Sequence, residues 1–153
     1  MRYCFLAVFA WVHSFPVWSG GTHGPTAELV ARLRPLLQRT GAHYMSGHDH
    51  VSSFHDEGLG PVFVVAGNGD NCCYNGSHAP TLPENTTKFG YWSGGFCPVG
   101  AHCPYRVNQT DNTAFAAFYF GLDGMAVQYV DSAGGVLWTS QTLPRRQKAA
   151  GEK

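Results

Sequence analysis

The stretch Ser46-Gly47-His48-Asp49-His50, following directly on Ala42-His43-Tyr44-Met45, holds the residues of this chain best suited to chemistry. An apolar-rich run that ends in Gly-His-x-His reads as a strand stopping at a tight turn, where two imidazoles can be presented to one metal ion or to two adjacent ones. Residues two apart on a strand share a face, so His48 and His50 can converge while Gly47 lets the backbone approach closely. Zinc, iron and manganese all accept imidazole as a ligand. With 8 histidines in 153 residues such a pair also arises by chance. The pair alone therefore does not decide between ligation and ordinary packed or surface histidines.

Elements on both sides must position these rings. The apolar run Phe5 to Val12 ends in His13, a second histidine at a strand end. Thr22-His23-Gly24-Pro25-Thr26 then opens a segment with Leu29, Val30, Leu33, Leu36 and Leu37 at helical spacing. The spacing predicts one main helix from about Thr26 to Arg39, with Thr26 as N-cap and Glu28 in the first turn, favourable to the helix dipole. Strand, loop with histidines, helix, strand and His-x-His loop make a parallel βαβ crossover. Ligands of open α/β sheets collect at the carboxyl ends of strands, the edge on which His13, His23, His48 and His50 are expected. Met1 to Val12 can also be read as a signal peptide, but the strand is preferred because no small-x-small cleavage site precedes the histidine.

The string His13 to Ser19, then His23-Gly24-Pro25-Thr26-Ala27-Glu28-Leu29-Val30, then Ser46-Gly47-His48-Asp49-His50, resembles the purple (tartrate-resistant) acid phosphatases of the calcineurin-like metallophosphoesterase group. Gly58-Leu59-Gly60, Ala66-Gly67-Asn68, Gly124 to Asp131 and Thr142 to Arg146 extend the likeness, which fits loosely from Asn71 to Asn108. The resemblance implies a two-metal phosphomonoesterase, its iron paired with iron, zinc or manganese. Carried over, His48 and His13 would serve one metal and His50 the other, while His23 would face the substrate phosphate or its leaving group. Two metals roughly 3.5–4 Å apart can clamp phosphate oxygens and supply a hydroxide nucleophile. The protein's part is mainly placement and charge stabilisation. The implied substrate is a phosphomonoester or phosphoprotein, and the implied location is lysosomal or secreted.

Two departures qualify the expectation. The family's remaining ligands sit in amino-terminal blocks of the form Asp-x-Gly, Gly-Asp-x-x-Tyr and Gly-Asn-His. No aspartate precedes Asp49 here, and neither of the other two blocks occurs. The chain therefore reads as the carboxyl-terminal half of such a domain, able to hold at most one metal and inactive alone unless a second chain supplies the missing half. In addition, His13 lies three residues before Pro16, where the family places its histidine two before; Ser14 holds that position. A one-residue slip turns a strand side chain to the opposite face.

The fold class expected is α/β: the carboxyl-terminal half of a metallophosphoesterase β-sandwich flanked by helices, one βαβ unit followed by an antiparallel meander. The meander strands are Ala114 to Phe120, Met125 to Val130 and Val136 to Thr139, joined by turns at Leu122-Asp123-Gly124 and Ser132-Ala133-Gly134-Gly135; Val62 to Val65 is a further strand. Residues 1–144 are taken as one partial domain with a loop at about 69–112, and 145–153 as a basic disordered tail. At 44% hydrophobic and 14% aromatic the chain can fill a core. A formal net charge of zero gives no footprint for nucleic acid or an anionic membrane.

Five cysteines point to an oxidising compartment. Cys72, Cys73, Cys97 and Cys103 cluster in a Gly/Pro/Asn-rich section and allow three pairings. Their spacing does not match common zinc knuckles, so at least one disulfide is expected among them, with Cys4 a buried free thiol. The sequons at Asn75, Asn85 and Asn108 suggest a glycan-bearing surface. His43 is read as packed or exposed rather than catalytic; His55, His78 and His102 are read as loop residues without a partner. Asp49 is expected to point away from a metal, and Asp70 and Asp131 are discounted as ligands. The alternative to a phosphatase piece is a non-catalytic secreted domain, stapled by disulfides, that keeps a residual metal site.

Overall fold

The computed structural model describes residues 8–9, 27–58, 60–68, 73–94, 96–104 and 113–145. The helical period predicted from the sequence is realised as α1 (Ala27–Thr40). Leu33 and Leu37 pack on Ala42, Tyr44 and Phe63, whereas Leu36, also in the periodic set, faces solvent. Gly41, at φ +65°, ends the helix in the left-handed conformation that a C-terminal cap favours. Arg34 reaches from the helix to Glu57, its Nε and Nη2 each 2.8 Å from Oε2. Thr26, the expected N-cap, lies outside the described residues.

The strands form two sheets. The first has five strands in the order β1 (Val8–Phe9), β2 (Tyr44–Ser46), β4 (Val62–Ala66), β3 (Ser52–Asp56), β5 (Thr87–Tyr91). β1, β2 and β4 run parallel, and β3 is antiparallel to both β4 and β5. The unit β1-α1-β2 is the expected βαβ crossover. The second sheet is the expected antiparallel meander of β6 (Ala114–Phe120), β7 (Gly124–Asp131) and β8 (Val136–Thr139), with β9 (Leu143–Pro144) added to β7. Asp131 caps the β7–β8 turn, its Oδ1 accepting from the backbone N–H groups of Ala133 and Gly135 at 3.0 and 2.6 Å.

Alternation buries one face of each sheet against the other. Phe54, Val62, Val64, Phe89 and Tyr91 of the first sheet meet Ala114, Met125, Val127 and Tyr129 of the second, with Leu143 closing the edge. Phe89 stacks on Tyr129 at 4.4 Å between ring centroids and on Trp138 at 5.6 Å, contacts worth more than their area alone. The fully buried Tyr129 hydroxyl crosses the sandwich to the carbonyl oxygens of Ser53 (2.6 Å) and Val65 (3.0 Å). The domain is an α/β sandwich with one α-helix and one short 3-10 helix (Ala79–Thr81) among the described residues.

Two strands were not expected. β3 reads Ser-Ser-Phe-His-Asp, with one strongly apolar residue in five, and β5 lies inside the stretch taken as a cysteine-rich loop. His55 is consequently not a loop residue. It sits fully buried on β3, its Nε2 2.8 Å from Ser53 Oγ and its Nδ1 3.1 Å from Thr87 Oγ1. Desolvation lowers its pKa to about 3. Arg145, placed in the tail, donates from its guanidinium to Gly121 O at 2.7 Å; the rest of the proposed tail, 146–153, lies outside the described residues.

Candidate metal centre

Strand β2 ends at Ser46, and Gly-His-x-His forms the turn beyond its carboxyl end. Asp49 N donates to Gly47 O at 2.9 Å, closing a three-residue turn centred on His48. His48 takes φ +72°, uncommon for a residue with a β-carbon, and its side chain lies at the exposed surface. Val51 N donates to Asp49 O at 2.6 Å, so the chain turns again around His50 before entering β3. Asp49 is fully buried between the two histidines.

His50 is half-buried and stacks face to face on Tyr74, with ring centroids 4.5 Å apart and planes 10° from parallel. Tyr74 N also donates to His50 O at 2.8 Å. Tyr74 thus fixes both the backbone and the ring of the second histidine. Its role was not legible beforehand: the only local signal is an aromatic residue directly after Cys72-Cys73.

The carboxyl end of β4 supports the same turn. Gly67 N donates to Val51 O at 3.0 Å, and a β-carbon on Gly67 would collide with the Asp49 carbonyl. Asn68, fully buried, accepts a hydrogen bond from Ser52 Oγ and donates from Nδ2 to Cys73 Sγ at 3.4 Å. Cys73 is disulfide-bonded, and a second bridge joins Cys97 to Cys103 with Cα atoms 5.9 Å apart. The expected bridge within the cysteine cluster is therefore present.

Two buried polar atoms on the loop find no hydrogen-bond partner among the described residues, Ser46 Oγ and His50 Nδ1. Buried polar atoms are nearly always paired, and an unpaired imidazole nitrogen is suited to bind a cation. To that extent the loop fits a metal. The described residues do not complete a site, since no three His, Cys, Asp or Glu side chains gather among them. His13 and His23, and Asp70 which was discounted, lie outside the described residues. The sequence does hold one Asp-x-Gly triplet, Asp56-Glu57-Gly58, but Asp56 ends β3 and its Oδ1 accepts from Gly58 N at 2.8 Å. His43, read as packed, is half-buried with Nδ1 accepting from Val62 N at 3.2 Å. Burial lowers its pKa against an opposing pull from Asp56.

The sandwich and its βαβ crossover, with the histidine loop at the strand ends, define an α/β domain of mixed sheets. Among characterised proteins the chain is 31% identical over 135 residues to tartrate-resistant acid phosphatase type 5 of Rattus norvegicus and 30% identical over 135 residues to that of Homo sapiens, each match covering 88% of this chain. It is 33% identical over 78 residues to purple acid phosphatase 17 of Arabidopsis thaliana, covering 50% of this chain. The chain spans 36% and 37% of the length of the two mammalian relatives, and 23% of the plant one. Over the part it covers, the chain is similar to the tartrate-resistant and purple acid phosphatases. No family profile matches it. Its fold is similar to that of GAP50, the anchor in the inner membrane complex of Plasmodium, with a TM-score of 0.63 at 18% identity over 88% of this chain and 36% of that one.

Proposed function

We propose that this chain is the carboxyl-terminal part of an acid phosphatase-like metallophosphoesterase and supplies the Gly-His-x-His loop to a two-metal centre that hydrolyses phosphomonoesters. The observation that carries the reading is the loop itself. His48 is held in a left-handed backbone conformation at the carboxyl edge of the sheet, and His50 is clamped by Tyr74 with a buried, unpartnered ring nitrogen. His48 and His50 are the ligands assigned to this chain, with His13 a further ligand and His23 the residue facing the phosphate. The metals, iron with iron, zinc or manganese in the intact family, would supply Lewis acidity and an activated water. Tyr74, Gly67 and Asp49 hold the two imidazoles in register, a supporting role that tunes ligand orientation.

Counting ligands sets the activity. The 153 residues hold no counterpart of the amino-terminal carboxylate, tyrosine and asparagine blocks, so the isolated chain should bind at most one divalent ion and hydrolyse an aryl phosphate at acidic pH negligibly. Turnover of about 1 per second or more, ordinary for an enzyme, would show a complete site, as would restoration of turnover by a second chain carrying the missing blocks. Equilibrium dialysis with zinc or manganese tests the loop independently of turnover. Binding should fall at least tenfold in the double variant His48→Ala with His50→Ala, and undiminished binding there would sink the assignment.

The disulfides favour a second reading. A bridge at Cys97–Cys103 together with a bonded Cys73 suits a secretory or lysosomal protein, and a non-catalytic domain stapled in this way would keep the loop with at most a residual metal. Among the described residues no helix is long and apolar enough to cross a membrane. Zinc binding without turnover, even when the missing blocks are supplied by a second chain, would select this alternative.

A further inference from the structure

The end of the sandwich remote from the histidine loop holds a cleft of about 550 Å³, inside the range of small-molecule sites. Asp56 pairs with Val62, whereas Ser52, at the other end of β3, pairs with Ala66 beside the histidine turn. The two places are thus separated by the length of a five-residue strand, about 13 Å. Phe54 and Trp138 form the apolar part of the cleft, and Asp56, Lys88, His102 and Gln141 bring polar groups to it.

Its wall is built by a departure from regular pairing. The register between β3 and β5 shifts between Phe54 and His55, leaving Lys88 opposite no residue of β3. The chain near Cys103 then adds to the outer edge of β5, with His102 N donating to Lys88 O at 2.9 Å and Gly90 N donating to His102 O at 3.0 Å. The Cys97–Cys103 bridge ties off this segment, so the wall is preorganised, which lowers the ordering cost of binding. Bulges of this kind recur beside sites.

We infer that this cleft binds a pyranose sugar of the N-acetylhexosamine type. Among the described residues its lining carries one carboxylate and one ammonium, Asp56 and Lys88, so these favour neither a strong anion nor a strong cation. Carboxylate, carboxamide, imidazole and ammonium together offer both acceptors and donors, the complement a ring of hydroxyls requires. Trp138, half-buried against Phe54 at 5.0 Å between ring centroids, supplies the apolar surface for the C–H face of the ring. A source of such a sugar is hydrogen-bonded to one of the lining residues. Lys88 Nζ donates to the carbonyl of Asn85 at 2.7 Å, and Asn85, exposed at φ +58°, begins the sequon Asn85-Thr86-Thr87. The sugar is the first residue of a glycan on Asn85 or a glycan brought by another molecule.

The full chain is produced in a secretory host as wild type and as Asn85→Gln, and each is titrated with methyl N-acetyl-β-glucosaminide while tryptophan fluorescence is followed. Asn85→Gln should bind saturably, and adding Gln141→Ala with His102→Ala, both at exposed positions, should weaken binding at least tenfold with an unchanged circular dichroism spectrum. Wild type that binds only after enzymatic deglycosylation assigns the cleft to the chain's own glycan. Equal binding by wild type and Asn85→Gln assigns it to a sugar from outside. No saturable change in the folded Asn85→Gln protein, or binding untouched by the double substitution, overturns the inference.

Discussion

A β-carbon at φ +72° meets its own backbone, and His48 carries that cost at the centre of the turn. Glycine would relieve it, so His48→Gly should raise unfolding stability by about 1 kcal/mol in urea while reducing metal binding. A loss of stability instead would mean that the side chain holds the turn. His55 is the second residue with a testable cost. Its folded pKa of about 3 lies below the ordinary value of 6.5 because burial excludes the charged form. Below pH 6.5 the unfolded chain takes up a proton that the folded chain refuses, so stability is fully present above that pH and falls as the pH drops toward 3. The slope approaches about 1.4 kcal/mol per pH unit. His55→Gln should flatten this part of the stability–pH profile; an unchanged slope would assign acid sensitivity to other groups. An acidic compartment therefore taxes this fold through a histidine that has no part in the proposed site.

Elements meet closely at the carboxyl ends of β2 and β4, where Gly67 runs against the Asp49 carbonyl. Backbone cannot yield as a flexible side chain can, so Gly67→Ala should cost about 1–3 kcal/mol, as overpacking does, and should weaken metal binding through the displaced histidine turn. Thermal denaturation and zinc dialysis on the same preparation check both, and a variant with wild-type values in each would show that the two turns are not mechanically linked. The βαβ unit was legible because α1 repeats its apolar residues at helical spacing and the meander alternates between turns with Asp-Gly and Gly-Gly. β3 and β5 were not. Their polar members Ser53, His55 and Thr87 are buried against one another, a complementarity that neither segment displays by itself.

At the scale of the molecule, two sheets with different pairing are joined by an aromatic interior and by the Tyr129 hydroxyl. Tyr129→Phe keeps the packing and removes the polar link to the Ser53 and Val65 carbonyls, so it should cost about 1–2 kcal/mol in chemical denaturation; a neutral result would leave the sandwich to apolar packing alone. The sequence by itself determined the helix, the strand that ends at Gly-His-x-His, the meander and the likeness to the acid phosphatases, since these rest on short-range periodicity and on residues close together in the chain. Only the tertiary structure decided that Tyr74 clamps His50, that Gly67 supports His48, that His55 is interior and that the segment around His102 closes a cleft. Each of those depends on which strands become neighbours. That choice is made by burial summed over the whole sandwich, and no local window of residues contains it.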